Sequence, residues 1–157
     1  MLFDDYSKAA IQVIFLARVE ASNLASEMMD TQHVVIGIVR VDPVLLQRLG
    51  ASIDLDWARK RVAVWHTSGH KVAQSVDLSL TKPLTTVLVN AANLAESNGC
   101  LQVRTEHLLL ALMTTPCHAS TMLEESRASI EKLQALVLEL QGNQEQPAAP
   151  WPVEELG

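Results

Sequence analysis

Aromatic residues are scarce: Phe, Trp and Tyr together make up 4% of the 157 residues. A β-sandwich core leans on Tyr, Phe, Trp and Thr, so this scarcity, beside abundant Leu, Val and Ala, points to an all-α chain. There are only two cysteines, Cys100 and Cys117, and no C-x-x-C. That leaves no disulfide framework or zinc knuckle, and the pair reads as free thiols in a reducing compartment. No apolar run reaches the roughly 18 residues of a membrane span, and "MLFDDYSKAA" lacks a basic n-region followed by an apolar h-region. The expectation is a soluble, cytoplasmic protein. The six glycines stand at 37, 50, 69, 99, 142 and 157, and none opens a G-x-x-x-x-G-K-[ST] phosphate loop, so no ATP cofactor is expected. Positive charge is in deficit, with a formal net charge of −6. An acidic domain repels phosphate backbones, which argues against nucleic-acid partners; the lone basic cluster Arg59-Lys60-Arg61 reads as a solvated helix turn.

What is present is a duplication. "TQHVVIGIV" at 31–39 returns as "TEHLLLALM" at 105–113, an offset of 74. At that offset Lys8 falls on Lys82, Val13 on Val87, Ala17 on Ala91, Ala21 on Ala95, His33 on His107 and Leu49 on Leu123. A repeat defines the folding unit. Two copies suggest a pseudo-twofold domain, with repeat one over about 1–65, a linker at 66–78, repeat two over about 79–141, and a Pro-rich tail at 142–157.

Within each copy the apolar period is helical. Ala10, Val13, Ile14, Ala17, Ala21 and Leu24 mark one face, and Leu84, Val87, Leu88, Ala91, Leu94 and Ala95 mark its counterpart. Ser7 and Thr81 precede these runs as N-caps, with Pro83 in the first turn. Thr31 and Thr105 are expected to cap second helices over Gln32–Arg40 and Glu106–Thr114, apolar nearly all round and therefore buried. Short third helices (Val44–Leu49, Ala119–Glu124) and amphipathic fourth ones (Asp54–Trp65, Ser129–Leu140) complete two sets of four, with Asp54 and Ser129 as caps.

Two tandem copies of a helix followed by T-[EQ]-H and an apolar run resemble the Clp repeat, the N-terminal domain of the Clp-type AAA+ unfoldases. The opening F-x-x-[YF]-[ST]-x-x-A, here Phe3, Tyr6, Ser7 and Ala10, belongs to the same pattern. The resemblance covers residues 1 to about 141. It implies an eight-helix, non-catalytic domain that receives protein substrates or adaptor proteins for Clp ATPase or protease subunits. In some members each repeat holds phosphorylated arginine. By matching position, Thr81 and Lys82 would take the phosphate in repeat two and Glu106 the guanidinium; repeat one offers Ser7 and Lys8, but Gln32 replaces the glutamate. A carboxylate makes charge-assisted, bidentate bonds to guanidinium and an amide does not, so the site with Gln32 is expected to be crippled. The alternative within the same machinery is a stand-alone accessory subunit that docks on the protease or unfoldase.

The remaining candidates have plainer readings. His33 and His107, each in the first turn of a buried helix, are expected to pack and hydrogen-bond; no G-x-S-x-G or Cys–His pairing completes a catalytic set. His66 and His70 have i, i+4 metal spacing but sit beside Ser68 and Gly69 without a third ligand, so they read as exposed loop histidines, and no metal is expected. Glu106 is also favoured by the helix dipole alone, and Lys8 and Lys82 as solvated first-turn lysines. Trp151, between prolines, reads as linker slack.

Overall fold

The computed structural model describes residues 3–66 and 78–142. Among them are eight helices: α1 (Lys8–Asn23), α2 (Thr31–Val41), α3 (Pro43–Arg48), α4 (Leu55–Ala63), α5 (Lys82–Ser97), α6 (Thr105–Thr114), α7 (His118–Glu125) and α8 (Ile130–Gly142). Most of the linker at 66–78 and nearly all of the tail, with His70 and Trp151, lie outside the described residues.

α1 begins where Ser7 Oγ accepts the Ala10 amide at 3.2 Å, and α5 where Thr81 Oγ1 accepts the Leu84 amide at 3.3 Å. Both bury the apolar face read from the sequence: Ala10, Val13, Ile14, Ala17 and Ala21 in α1, Leu84, Val87, Leu88, Ala91 and Ala95 in α5. Both also end in the same way, on a left-handed residue that folds the next amide back onto the last turn. In α5 it is Gly99 at φ 73°; at the equivalent position after α1 it is Ala25 at φ 61°, where a Cβ is strained.

α2 and α6 are the core helices, α2 packed on α1 and α6 on α5, with α2 and α6 also in contact. Every residue from Thr31 to Val39 is buried, as are Thr105 and His107–Leu112. α1 and α2 approach so closely at Gly37 that a Cβ there would lie 2.4 Å from the Val13 carbonyl oxygen. The equivalent residue of α6 is Ala111. The repeats are also joined where the Ser52 amide donates to the Ser126 carbonyl at 2.7 Å and the Ser129 amide to that of Leu49 at 2.9 Å.

Several sequence expectations need correction. Thr31 and Thr105 are first helical residues, not caps. The cap positions belong to Asp30 and Arg104, whose extended backbone (φ −124° and −104°) precedes each helix. Asp30 Oδ1 accepts the Thr31 amide at 2.7 Å, while Arg104, having no acceptor, caps nothing with its side chain. Asp54 and Ser129 do cap, accepting from Trp57 and Lys132. α4 ends at Ala63, two residues before the expected end, and α3 and α7 begin one residue before theirs. Short parallel pairings were not foreseen: β1 (Met28–Met29) with β2 (Ser79–Leu80), and a bridge from Tyr6 to Val103.

The basic cluster on α4 is exposed at Arg59 and Lys60, as expected of a solvated turn, and its arginines are also paired with acids of other helices. Arg59 donates to the buried Glu20 at 3.1 and 2.7 Å, and Arg61 clamps Glu125 of α7 at 2.7 and 3.0 Å. Arg40 of α2 completes a trio on Glu20 at 3.0 Å. The second repeat fills those three positions with Leu94, Thr114 and Leu133.

Candidate recognition sites at the crossed helix N-termini

The short pairings decide which candidate residues lie together. Met29 pairs with Leu80, and the Thr81 amide donates to Met29 O at 3.0 Å. Thr81 Oγ1 then donates to Asp30 Oδ1 at 2.6 Å. The start of α5, with Thr81 and Lys82, is therefore tied to the start of α2, with Asp30, Thr31 and Gln32. At the other end Tyr6 pairs with Val103, and the Ser7 amide donates to Val103 O at 2.9 Å. The start of α1, with Ser7 and Lys8, is thus tied to the segment leading into Arg104, Thr105 and Glu106. Each end of the molecule combines the first helix of one repeat with the second helix of the other. Thr81 and Lys82 sit with Gln32, not Glu106; Ser7 and Lys8 sit on the Glu106 side.

The two ends differ in access. Glu106 is half-buried, with an open edge, whereas Gln32 is 2% exposed. Gln32 Nε2 lies 3.2 Å from His66 Nε2, which also lies 3.0 Å from His33 Nε2. His66 is therefore not a free loop histidine. It leaves the end of α4, stacks on His33 with ring centroids 4.8 Å apart, and covers the Gln32 end of α2.

The paired histidines are structural. His33 Nδ1 accepts the Asp30 amide at 2.9 Å, and His107 Nδ1 accepts the Arg104 amide at 2.9 Å. Each does for its helix what a Glu or Gln does at the third position of a capping box. A neutral imidazole accepting at Nδ1 carries its proton on Nε2. In His33 that N–H points at His66 Nε2, which accepts it, and the Gln32 amide lies against the same nitrogen. In His107 the corresponding nitrogen is buried with no hydrogen-bond partner among the described residues. Burial pushes the His33 pKa down to about 3, His66 lowering it further against an opposing pull from Asp30. Burial, aided by Arg104, lowers that of His107 to about 4. His66 is also lowered, mainly by burial, with Asp30 opposing and His118 assisting. An imidazole so arranged has no lone pair free for a metal. Among the described residues no three His, Cys, Asp or Glu side chains converge as ligands.

Thr31 ties the repeats together instead of capping its own helix. Its Oγ1 accepts the Ala119 amide, in the first turn of α7, at 3.2 Å. Beside it Trp65 stacks on His118 with centroids 4.2 Å apart, and the Arg61 guanidinium lies 4.1 Å from the Trp65 ring centroid. Neither Asp30 nor Arg104 is nominated from the sequence, and His66 is expected as an exposed loop histidine, whereas it is bonded to α2. Asp30 alone carried a local signal, an aspartate directly before a buried apolar run.

The profile of the Clp repeat (R) N-terminal domain matches residues 5–146. The chain is 25% identical over 124 residues to the chloroplastic chaperone protein ClpD of Arabidopsis thaliana, covering 72% of this chain and 13% of that protein. It is 33% identical over 119 residues to a probable ATP-dependent Clp protease ATP-binding subunit of Chlamydia pneumoniae, covering 71% and 14%. The chain thus spans about one seventh of the length of these relatives. In fold it is similar to the crystal structure of the ClpD N-terminal domain (TM-score 0.70, 23% identity, 88% of this chain and 96% of that one). It is similar also to the Hsp104 N-terminal domain of Candida albicans (TM-score 0.70, 19% identity, 90% and 95%).

Proposed function

Because the chain belongs to the Clp repeat (R) N-terminal domain family, we propose that it is a non-catalytic recognition module of a cytoplasmic Clp unfoldase–protease system. It binds protein substrates or adaptors, and its ligand chemistry is that of a phosphorylated arginine side chain. Residues 1–141 form the module. The open site is the end where α1 meets α6. The free amides of the α1 N-terminus suit an anion, Lys8 adds a cation, and Glu106 supplies a carboxylate for a guanidinium. The opposite end, with Thr81, Lys82 and Gln32, is closed.

One observation carries the choice between the two ends: Gln32 is buried against His66, while Glu106, its counterpart, keeps an open edge. Gln32 is neutral and shut from solvent, so its Oε1, buried without a partner among the described residues, has no open edge to present to a guanidinium.

The test is a calorimetric titration of phosphoarginine, with arginine and phosphate as controls. Wild type is expected to bind near one equivalent per chain. On the crossed reading Glu106→Ala and Lys8→Ala should both abolish that site, and Lys82→Ala should leave it intact. Loss in Lys82→Ala with retention in Lys8→Ala would refute the crossed site, and no binding at millimolar ligand would refute the ligand class.

A further inference from the structure

Pseudo-symmetry allows each surface to be compared with its own counterpart on the same scaffold. At the outer face of the α1–α2 pair, Gln12, Phe15, Leu16, Arg40 and Val41 line an open groove of about 440 Å³, and Ile11 flanks it. Ile11 is 41% exposed and Phe15 58%. Single exposed apolar residues are ordinary and need no partner. The second repeat is what separates this face from an ordinary one.

At the offset of 74, the residues equivalent to Ile11, Gln12, Leu16, Arg40 and Val41 are Thr85, Thr86, Asn90, Thr114 and Thr115. These polar groups satisfy one another or their own helices. Thr85 and Thr86 hydroxyls donate to the carbonyls of Thr81 and Lys82, at 3.1 and 3.2 Å. Thr114 donates to Leu110 O at 2.8 Å, and Asn90 Nδ2 to Thr115 Oγ1 at 3.0 Å, closing the cleft between α5 and α6. On the second repeat the exposed Val89 stands among self-satisfied hydroxyls. On the first, the exposed Ile11 and Phe15 stand beside an open groove that Leu16 and Val41 share with Gln12 and Arg40.

The charge at its edge is also unbalanced. Arg40 and Arg59 share the single carboxylate of Glu20, leaving a net +1 in a chain whose formal charge is −6. The Arg40 side chain is 31% exposed beside the groove, with guanidinium N–H groups beyond the one given to Glu20. Ile11 and Phe15 are one turn apart on α1, a ridge against which a third helix can interdigitate.

We infer that the α1–α2 face is a docking surface for an amphipathic helix of a partner protein, with its apolar side against Ile11, Phe15 and Leu16 and a carboxylate at Arg40. The inference goes beyond tag recognition and concerns a different face, so either can fail while the other stands.

The test is fluorescence anisotropy with two labelled designed peptides of about four helical turns. They share one leucine face and are flanked by glutamates in one and lysines in the other. The acidic peptide is expected to bind wild type more tightly than the basic one, with affinity falling as salt rises. Phe15→Ser should weaken it by about tenfold or more and Arg40→Gln by about fivefold, as expected for a lost apolar anchor and a lost charged bond. Val89→Ser, at the position equivalent to Phe15, should change nothing. Ile11→Ser is the second variant should Phe15→Ser lower the melting temperature. Equal binding of the two peptides, equal loss in Val89→Ser, or no binding at millimolar peptide would overturn the inference.

Discussion

The two capping histidines set a pH dependence whose sign and size follow from their surroundings. An unfolded chain titrates histidine near 6.5, whereas His33 in the folded chain titrates at about 3 and His107 at about 4. Between these values the unfolded state binds protons that the native state refuses, so stability is full above 6.5 and falls as pH falls toward the folded values. At pH 5 each histidine has given up about 2 kcal/mol relative to pH 7.5, from 2.303RT over about 1.5 pH units. Both are fully buried, so solvent screening does not dilute this figure. His66 shifts in the same direction. Together the buried pair costs about 4 kcal/mol at pH 5, a large part of a typical domain stability of about 5–15 kcal/mol. Urea unfolding followed by far-UV circular dichroism at pH 7.5 and 5.0 measures the difference. His107→Gln keeps an acceptor for the Arg104 amide and removes the titration, so it should abolish about 2 kcal/mol of the pH-dependent loss. A stability flat between pH 7.5 and 5, or an unchanged slope in His107→Gln, would refute both the burial of these neutral imidazoles and the capping role drawn from it.

Two further substitutions test the packing. Gly37→Ala places a Cβ against the Val13 carbonyl oxygen, a backbone atom that cannot swing aside. The helix-propensity gain of about 1 kcal/mol is outweighed by overpacking of about 1–3 kcal/mol, so the urea midpoint should fall at constant slope. An unchanged midpoint would mean α1 and α2 are not in contact there. Thr31→Val removes the acceptor of the Ala119 amide and should cost about 1–2 kcal/mol, whereas Thr105→Val removes a buried hydroxyl that has no partner among the described residues and should cost nothing or stabilise slightly. Equal losses at the two threonines, read from the same urea curves, would contradict the asymmetry of the inter-repeat junction.

The helices were legible because each satisfies an apolar period, and their starts because Ser7, Thr81, Asp54 and Ser129 are cap residues with an ordinary preference for that position. The second helices were placed correctly but capped from the wrong residue. In T-[EQ]-H the threonine is the obvious local cap, yet the histidine two residues on takes the amide of the residue before it, which fixes Asp30 and Arg104 as the boundary. No propensity scale nominates an arginine for that role. Two-residue strands leave no period to detect, so the pairings that cross the repeats were invisible, and with them the partnership of Ser7 with the Glu106 end. His66 was misread because its neighbours Ser68 and Gly69 signal a loop, while its bonds are made to α2, 33 and 34 residues away.

Duplication gave both halves one scaffold, and the divergence between them lies at positions the core does not need. At the helix N-termini, Gln32 is closed by His66, while Glu106 keeps an open edge and the position equivalent to His66 is Leu140. On the outer face the order is reversed: the first repeat is open between α1 and α2, with Phe15, Leu16 and Val41 along the groove, and the second is closed by the Asn90–Thr115 bond between α5 and the end of α6. Stability alone does not select such a pattern. An exposed Phe15 adds nothing to the core, and a buried His107 N–H without a partner among the described residues costs about 1–3 kcal/mol. Two different ligands, one at the crossed end with Glu106 and one along α1, would account for each half having lost what the other kept. On that account, Val89→Phe alone should leave the second repeat unable to take the acidic peptide, because Thr85, Asn90 and Thr115 stay in place around it.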